Sequence, residues 1–336
     1  MNSYAAAAPN RRRPKILSAF VLALTVSLFA PSLQAQNLAP AVMSIPNKTF
    51  QMVIYPIAVE RGYMKEEGVD TKLTYIEATP AIQSIIAGNV HFTGSGTSAL
   101  VALAKGGAPM KVVVATNDRV LQWLMSRPNV TSLKDLKGKT VASTGVATAA
   151  VFMLRQILAK QGLSPKDVTI VDPGSNNQLT SLMSGVVDAA IVSADQRYVG
   201  LDNGLKDLMF FGNEVKNSWG TLATSEKIIK EQPKMVAGFV RGVLKALRYV
   251  RQEREGTIAA MTKFSGIDRA AAARVYDDLA GTFTRNGAVD EETQRNDMVI
   301  IRQIVDGKDT IAPNRAYDFS FALDADQQLT KIGWKP

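Results

Sequence analysis

The 336-residue sequence contains no cysteine. That absence excludes disulfides, thiolate zinc sites and a cysteine nucleophile. Histidine is almost as scarce: His91 is the only one, so a Ser-His-Asp triad or a histidine zinc site would have to be built on it. It opens a strand-like run and has no acidic neighbour in sequence, which reads as a strand-edge histidine. No P-loop, dinucleotide glycine fingerprint or paired-carboxylate motif occurs. Catalysis is therefore poorly supported, and neither a cofactor nor a metal is expected.

Long apolar runs are missing from all but one place. Arg11-Arg12-Arg13 and Lys15 precede the uncharged stretch from Ile16 to Ala30, and Pro31-Ser32-Leu33-Gln34-Ala35 follows with a small residue for cleavage. Residues 1–35 thus have the three parts of a secretory signal. The 15-residue run is shorter than the roughly 20 residues needed to span a bilayer. The mature chain is expected to be soluble and exported by the Sec route, although the arginine pair also admits the twin-arginine route. Removing the tag's four basic residues lowers the formal charge from +9 to +5. The remaining charges are scattered, so no nucleic-acid partner is expected.

What is present alternates between apolar strands and helical stretches, the pattern of an α/β fold. Strands are expected at 41–45, 69–76, 91–93 and 111–115, with helices at 50–61, 81–87 and 98–105. The plan then begins again, with strands at 140–143, 168–171 and 189–192 and helices at 149–161 and 178–184. Ile85 to Thr93 has a counterpart in Leu182 to Ala190: a helix end, a glycine stop, then a strand. Two similar lobes are the economical reading. From Pro233 onward the pattern is helical, at 234–254, 269–280 and 291–304, and the tail from Asn314 reads as polar with isolated aromatics.

Four polar loops stand just before helices: Pro46 to Thr49, Gly94 to Ser98, Ser143 to Thr148 and Gly174 to Asn177. Free N–H groups at a helix start favour anions, and in open α/β sheets ligands bind at the carboxyl ends of strands. Capping alone accounts for any one such loop; four of them over two lobes suggest a shared cleft. A helix terminus contributes only about 0.3–1 kcal/mol, whereas micromolar binding takes roughly 8 kcal/mol. Further hydrogen bonds and apolar walls are required.

Several segments resemble periplasmic substrate-binding proteins of the nitrate/sulfonate/taurine branch of ABC transporters. They are Tyr55-Pro56, Glu60 to Met64, Glu67 to Asp70, Gly106 to Pro109, Leu133 to Ala142, Gly162 to Val168 and Gly185 to Ala190. The similarity runs from about Ala41 to Arg254. It implies a type II periplasmic-binding-protein fold of two α/β lobes joined by two crossovers, at 117–126 and 219–224. Lobe 1 would comprise 36–117 and 224–336, and lobe 2 residues 118–223. The implied role is capture of a small organic anion, such as a sulfonate or carboxylate, by hinge closure, followed by delivery to an ABC permease in the inner membrane; a monomer is expected.

Mapped by position, the resemblance places ligand contacts at Lys48, Thr49, Phe50 and Gln51, at Ser95, Gly96, Thr97 and Ser98, and at Thr116 and Asn117. In the second lobe it places them at Thr144, Thr148, Asn176 and the segment after Val192. That segment departs from the family pattern: Ser193 is followed by Asp195 and Arg197, which suggests Arg197 for a ligand acid and Asp195 for an amine or hydroxyl, unless the two pair with each other or face solvent. Trp123, Tyr198 and Trp219 form either an apolar wall or hinge packing. The first-lobe Gly-x-x-Asp carries His91 in the aspartate position. Two other readings stay open: a sensor subunit built on the same module, and an enzyme similar to the thiamine-pyrimidine synthase. The latter is cysteine-rich and sacrifices a histidine, which fits this sequence poorly.

Overall fold

The computed structural model describes residues 37–174 and 177–336. The expected signal at 1–35 and Asn176 therefore lie outside the described residues. Residues 38–336 form one unit, built on two five-stranded sheets.

The first stretch runs β1 (Ala39–Ile45), α1 (Ile54–Glu60), α2 (Tyr63–Glu66), β2 (Val69–Tyr75), α3 (Ala78–Ile86), β3 (Phe92–Thr93), α4 (Gly96–Ala104) and β4 (Met110–Asn117). The second sheet is then laid down by β5 (Trp123–Ser126), β6 (Lys139–Ala142), α5 (Ala149–Lys160), β7 (Val168–Val171), α6 (Gln178–Met183), β8 (Ala189–Val192), α7 (Ala194–Asp202) and β9 (Lys206–Phe210). The chain returns through α8 (Phe211–Glu214) into β10 (Trp219–Ser225). It ends in α9 (Glu226–Glu231), α10 (Pro233–Gln252), α11 (Arg254–Ser265), α12 (Arg269–Leu279), α13 (Glu291–Ile304), α14 (Pro313–Ala316) and α15 (Ser320–Lys331).

Strand order is β2-β1-β3-β10-β4 in one sheet and β7-β6-β8-β5-β9 in the other. In each, four strands run the same way and the strand that crosses from the other sheet runs antiparallel to its neighbours: β10 beside β3 and β4, β5 beside β8 and β9. The links between the sheets are residues 118–122 and 211–218. The return boundary expected at 223/224 therefore falls inside β10, whose pairing with β4 starts at Trp219 opposite Asn117. The apolar composition follows this placement: in β4 every residue but Lys111 is buried, as expected of a strand covered on both faces.

The internal repeat extends to single hydrogen bonds. Gly88 and Gly185 both take positive φ, 80° and 78°, and their N–H groups bond Ile85 and Leu182 at 3.0 and 3.1 Å. The residue three positions after each glycine then grips a neighbouring strand, β1 or β6, in the same way. In the second sheet the Asp188 N–H donates to the Thr140 carbonyl, and its carboxylate accepts from the Thr140 N–H at 3.0 Å. In the first, the His91 N–H donates to the Val42 carbonyl, and Nδ1 accepts from the Val42 N–H at 3.0 Å. His91 thus replaces an aspartate as an acceptor, which requires the neutral ring, and its burial holds the pKa below the ordinary histidine value.

Some elements differ from expectation. Helix α7 occupies the segment read only as ligand contacts, and β9 follows it. The long C-terminal helix breaks at Glu253, whose φ of −111° and ψ of 76° separate α10 from α11. The tail contains α15, which lays Ala322, Ala325 and Leu329 against α10. The C-terminal helices do not serve the first sheet alone: α13 packs on both α4 and α5, and α12 on both α11 and α7.

Candidate ligand site

A cavity of about 650 Å³ lies between the two sheets. From the first-sheet side it is lined by Asn47, Lys48, Thr49, Phe50 and Gln51, in the loop after β1, and by Trp219 at the start of β10. From the second it is lined by Thr144, Gln178, Ile191 and the start of α7, Ser193 to Gln196. The first crossover adds Leu121 and Gln122; α11, α12 and the loop between them add Met261, Ser265, Ile267, Val275 and Leu279.

The floor is apolar. Phe50 is buried and meets Phe283 edge-on at 5.1 Å between centroids. The polar wall is rich in carboxamides, Asn47, Gln51, Gln122, Gln178 and Gln196. The Gln122 carbonyl oxygen is buried with no hydrogen-bond partner. An unpartnered buried acceptor is costly to leave in the closed protein. Charge is sparse: among the described lining residues Lys48 is the only cation and Asp195 the only anion. The Lys48 ammonium lies 5.2 Å from the Tyr75 ring centroid. Asp195 accepts from the Ser193 hydroxyl at 2.6 Å, while Gln196 reaches back to the Ser193 N–H at 3.2 Å. The first turn of α7 is thereby fixed against the cavity.

Several sequence-derived contacts lie elsewhere. Arg197 does not face the cavity. Successive helix positions differ by about 100°, and this turn sends its guanidinium to Asp207 and Asp278, both at 2.7 Å, above the Trp123 ring. Although partial burial opposes the charge, the two carboxylates hold its pKa above the ordinary value. Arg197 and Asp195 therefore do not pair with each other. Thr116 and Asn117 are fully buried; the Thr116 hydroxyl donates to the Gly220 carbonyl, and Asn117 donates to the Thr282 hydroxyl at 3.0 Å. They tie β4 to β10 and to the end of α12, and are not among the described residues that line this cavity.

Ser95 to Ser98 are also displaced. The helix begins at Gly96, ahead of the expected start at Ser98, and packs so closely on β10 that an added Cβ would stand 1.7 Å from the Thr221 hydroxyl. Only glycine fits there. Thr97 borders a separate small void with Asn217, Ser218, Thr221 and Asp297, and Trp219 stands between this void and the cavity. Ser95 is buried with its hydroxyl unpartnered, and Ser98 borders neither space. Behind the void, Asp297 accepts four hydrogen bonds: from Asn217 Nδ2, the Ser218 N–H, the Ser218 hydroxyl and the Tyr317 hydroxyl, at 2.6 to 3.0 Å. Burial pushes its pKa up to about 6 against the pull of those donors.

Thr148 is an N-cap whose hydroxyl accepts from the Val151 N–H at 3.4 Å, whereas Thr144 faces the cavity. The two substitutions should therefore separate. Thr148→Ala is expected to lower stability by about 0.5–1 kcal/mol, the weak end for a cap, with ligand affinity unchanged. Thr144→Ala should lower affinity several-fold with an unchanged melting temperature. Paired calorimetric titrations and thermal melts would reveal a reversed pattern if the assignments were wrong. Sequence reading missed Gln122, Gln178, Gln196 and the residues of α11 and α12. Gln178 was signalled by the polar loop just before it; the apolar residues of α11 and α12 carry only ordinary helix amphipathicity.

Two sheets of this strand order with a cavity between them define the type II periplasmic-binding-protein fold. The alkanesulfonate-binding protein SsuA from Xanthomonas axonopodis pv. citri, bound to MOPS, superposes with a TM-score of 0.67 at 18% identity, over 83% of this chain and 99% of that one. A cysteine-to-serine mutant of the desulfurization enzyme DSZB, in complex with biphenyl-2-sulfinic acid, superposes with a TM-score of 0.68 at 13% identity, over 86% and 99%. At such identities the likeness is one of fold. A family model described as NMT1/THI5 like matches residues 49–256, and the chain belongs to that family. The riboflavin-binding protein RibY of Chloroflexus aurantiacus is 30% identical over 225 residues, 65% of this chain and 62% of that protein. The match thus spans less than two thirds of that relative's length.

Proposed function

We propose that the protein is the solute-binding component of an ABC importer, working in the periplasm and handing a small organic solute to a membrane permease. The observation that carries this reading is a 650 Å³ cavity lined from both sheets, within the 300–1,000 Å³ usual for small-molecule sites. A ligand that touches both walls stabilises the closed arrangement by its contacts to each. Lys48 would meet an acidic group of the solute, a sulfonate or carboxylate, in place of Arg197. Asp195 would accept from hydroxyl or N–H groups. Phe50 and Trp219 would cover an apolar or ring portion. The riboflavin-binding relative and the MOPS-bound sulfonate receptor both support an organic solute of about ring size.

Enzymatic use of the fold, as in DSZB, is disfavoured by the lining itself. The cavity presents no cysteine or histidine, and the sole histidine serves β1. Among the described residues, no group of three His, Cys, Asp or Glu side chains is placed to hold a metal. The test is a thermal-shift screen of the mature chain with riboflavin, taurine, MOPS and aromatic carboxylates. A binder at a hundredfold its Kd should add about 2.7 kcal/mol of stability. No shift with any of them, or turnover of one, would overturn the reading.

A further inference from the structure

The two helices that wall the cavity on one side also carry a set of ion pairs that bind the two halves of the molecule to each other. Helix α7 follows β8 and packs on β5 and β9, so it moves with the second sheet. Helix α12 packs on α11, and α11 on α10 and α1, so it moves with the first. Between them, Arg197 is anchored to its own side by Asp207 and reaches across to Asp278 at 2.7 Å. The Tyr198 hydroxyl donates to the same Asp278 carboxylate and lies 3.0 Å from the Arg274 carbonyl. One turn earlier in α12, Arg274 lies 4.2 Å from the Tyr198 ring centroid and pairs with Asp202 at 2.9 Å.

We propose that Tyr198, Arg197 and Asp278, with the Arg274–Asp202 pair beside them, form a latch that positions α7 against α12. The latch sets how long the cavity stays closed. It rests on the binding-protein reading but uses residues that touch no ligand. Positions 193–196 face the cavity and positions 197–198 face α12 on the same helix, so a solute held by the first turn of α7 and by Val275 and Leu279 closes the same gap the latch spans. Solute contacts and latch contacts then add within one closed state. Arg197 is the strategic member. With its side chain 17% exposed, stacked on Trp123 and tied to Asp207, it loses little side-chain freedom when it engages Asp278.

The absence of cysteine makes the test clean. Asp70→Cys and Lys166→Cys, both at exposed positions near the outer strands of the two sheets, accept one spin label each, and the distance distribution is measured on the solute-free protein. In the parent a single narrow distribution is expected. Tyr198→Phe with Asp278→Asn should add a second, displaced population with an unchanged circular-dichroism spectrum, and Asp278→Glu should restore most of the parent distribution. Arg274→Gln, which removes the exposed Asp202 pair and the charge over the Tyr198 ring, should move the distribution the same way to a smaller extent. The dissociation rate of riboflavin or MOPS, whichever binds in the screen, should rise about tenfold in the double variant, since such changes act mainly on release. Superimposable distance distributions in parent, double variant and Arg274→Gln would overturn the latch while leaving solute binding, measured separately by thermal shift, untouched.

Discussion

Replacing Asp297 by alanine is expected to destabilise the protein by about 3–5 kcal/mol, several times the loss expected for the Thr148 cap. The carboxylate is fully buried and holds Asn217 and Ser218, in the return crossover, together with Tyr317, which bridges to Val112 of β4. Alanine strands four donors, and each unsatisfied buried donor costs roughly 1–3 kcal/mol where water does not replace the lost acceptor. Asparagine should be far milder. Its oxygen can keep the two obligatory donors, Asn217 Nδ2 and the Ser218 N–H. Its NH₂ then faces Ser218 and Tyr317, whose hydroxyls can turn to accept.

The same pair of variants fixes the pH dependence. The folded pKa of about 6 lies above the ordinary aspartate value, so the folded state binds this proton more readily than the unfolded chain. Its contribution is full below the unfolded pKa near 4 and is lost as pH rises towards 6, a change of at most about 3 kcal/mol. His91 acts in the opposite sense. Its folded pKa is lowered, so its contribution is present above the unfolded value near 6.5 and is lost as pH falls below it. Subtracting denaturant midpoints of Asp297→Asn from those of the parent, between pH 4 and 7, should isolate the aspartate part: the parent gains relative to the variant on acidification. A pH-independent difference would show that Asp297 titrates normally.

The parts of this molecule that were legible in sequence are those set by local periodicity and by glycine stops. The repeat around Gly88 and Gly185 could be read because a positive-φ residue after a helix leaves a fixed signature. The departure at His91 was visible too, but not that histidine would meet the same backbone N–H an aspartate meets in the other lobe. The cavity was half legible. Lys48 to Gln51 and Thr144 follow strands directly, and chain order puts such loops at the sheet's carboxyl end. The direction of Arg197 was not legible. Whether a residue in the first turn of a helix faces a cavity or a neighbouring helix depends on rotation about the axis, and α7 itself was not anticipated. Ser95 to Ser98 stand apart from the cavity for a different reason. Polar residues before a helix suit a ligand, a cap or a tight backbone approach equally well, and only the Thr221 side chain behind Gly96 distinguishes them.

Trp219→Ala is expected to give the largest loss of binding, roughly a hundredfold in Kd, with Trp219→Phe recovering most of it. Trp219 opens β10 and is held by pairing with Asn117. Its half-buried indole forms a partition between the ligand cavity and the void in front of Asp297. An indole against a ring-sized solute contributes both apolar area and stacking, together about 2–3 kcal/mol. Alanine also lets water through to the void, where Thr97, Thr221 and Ser218 would hold it against the solute. Trp123 provides the contrast. It is stacked on Phe210 at 4.4 Å, covered by Arg197, and lies outside the cavity, so Trp123→Phe should leave Kd within about twofold while lowering the melting temperature. Trp219, Trp123 and Trp334 are the only tryptophans, which gives the comparison an optical readout. The fluorescence change on adding the solute identified by the thermal screen should vanish in Trp219→Phe and persist in Trp123→Phe. A change that survives in Trp219→Phe, or an affinity that survives in Trp219→Ala with the fold intact, would move the solute away from this wall.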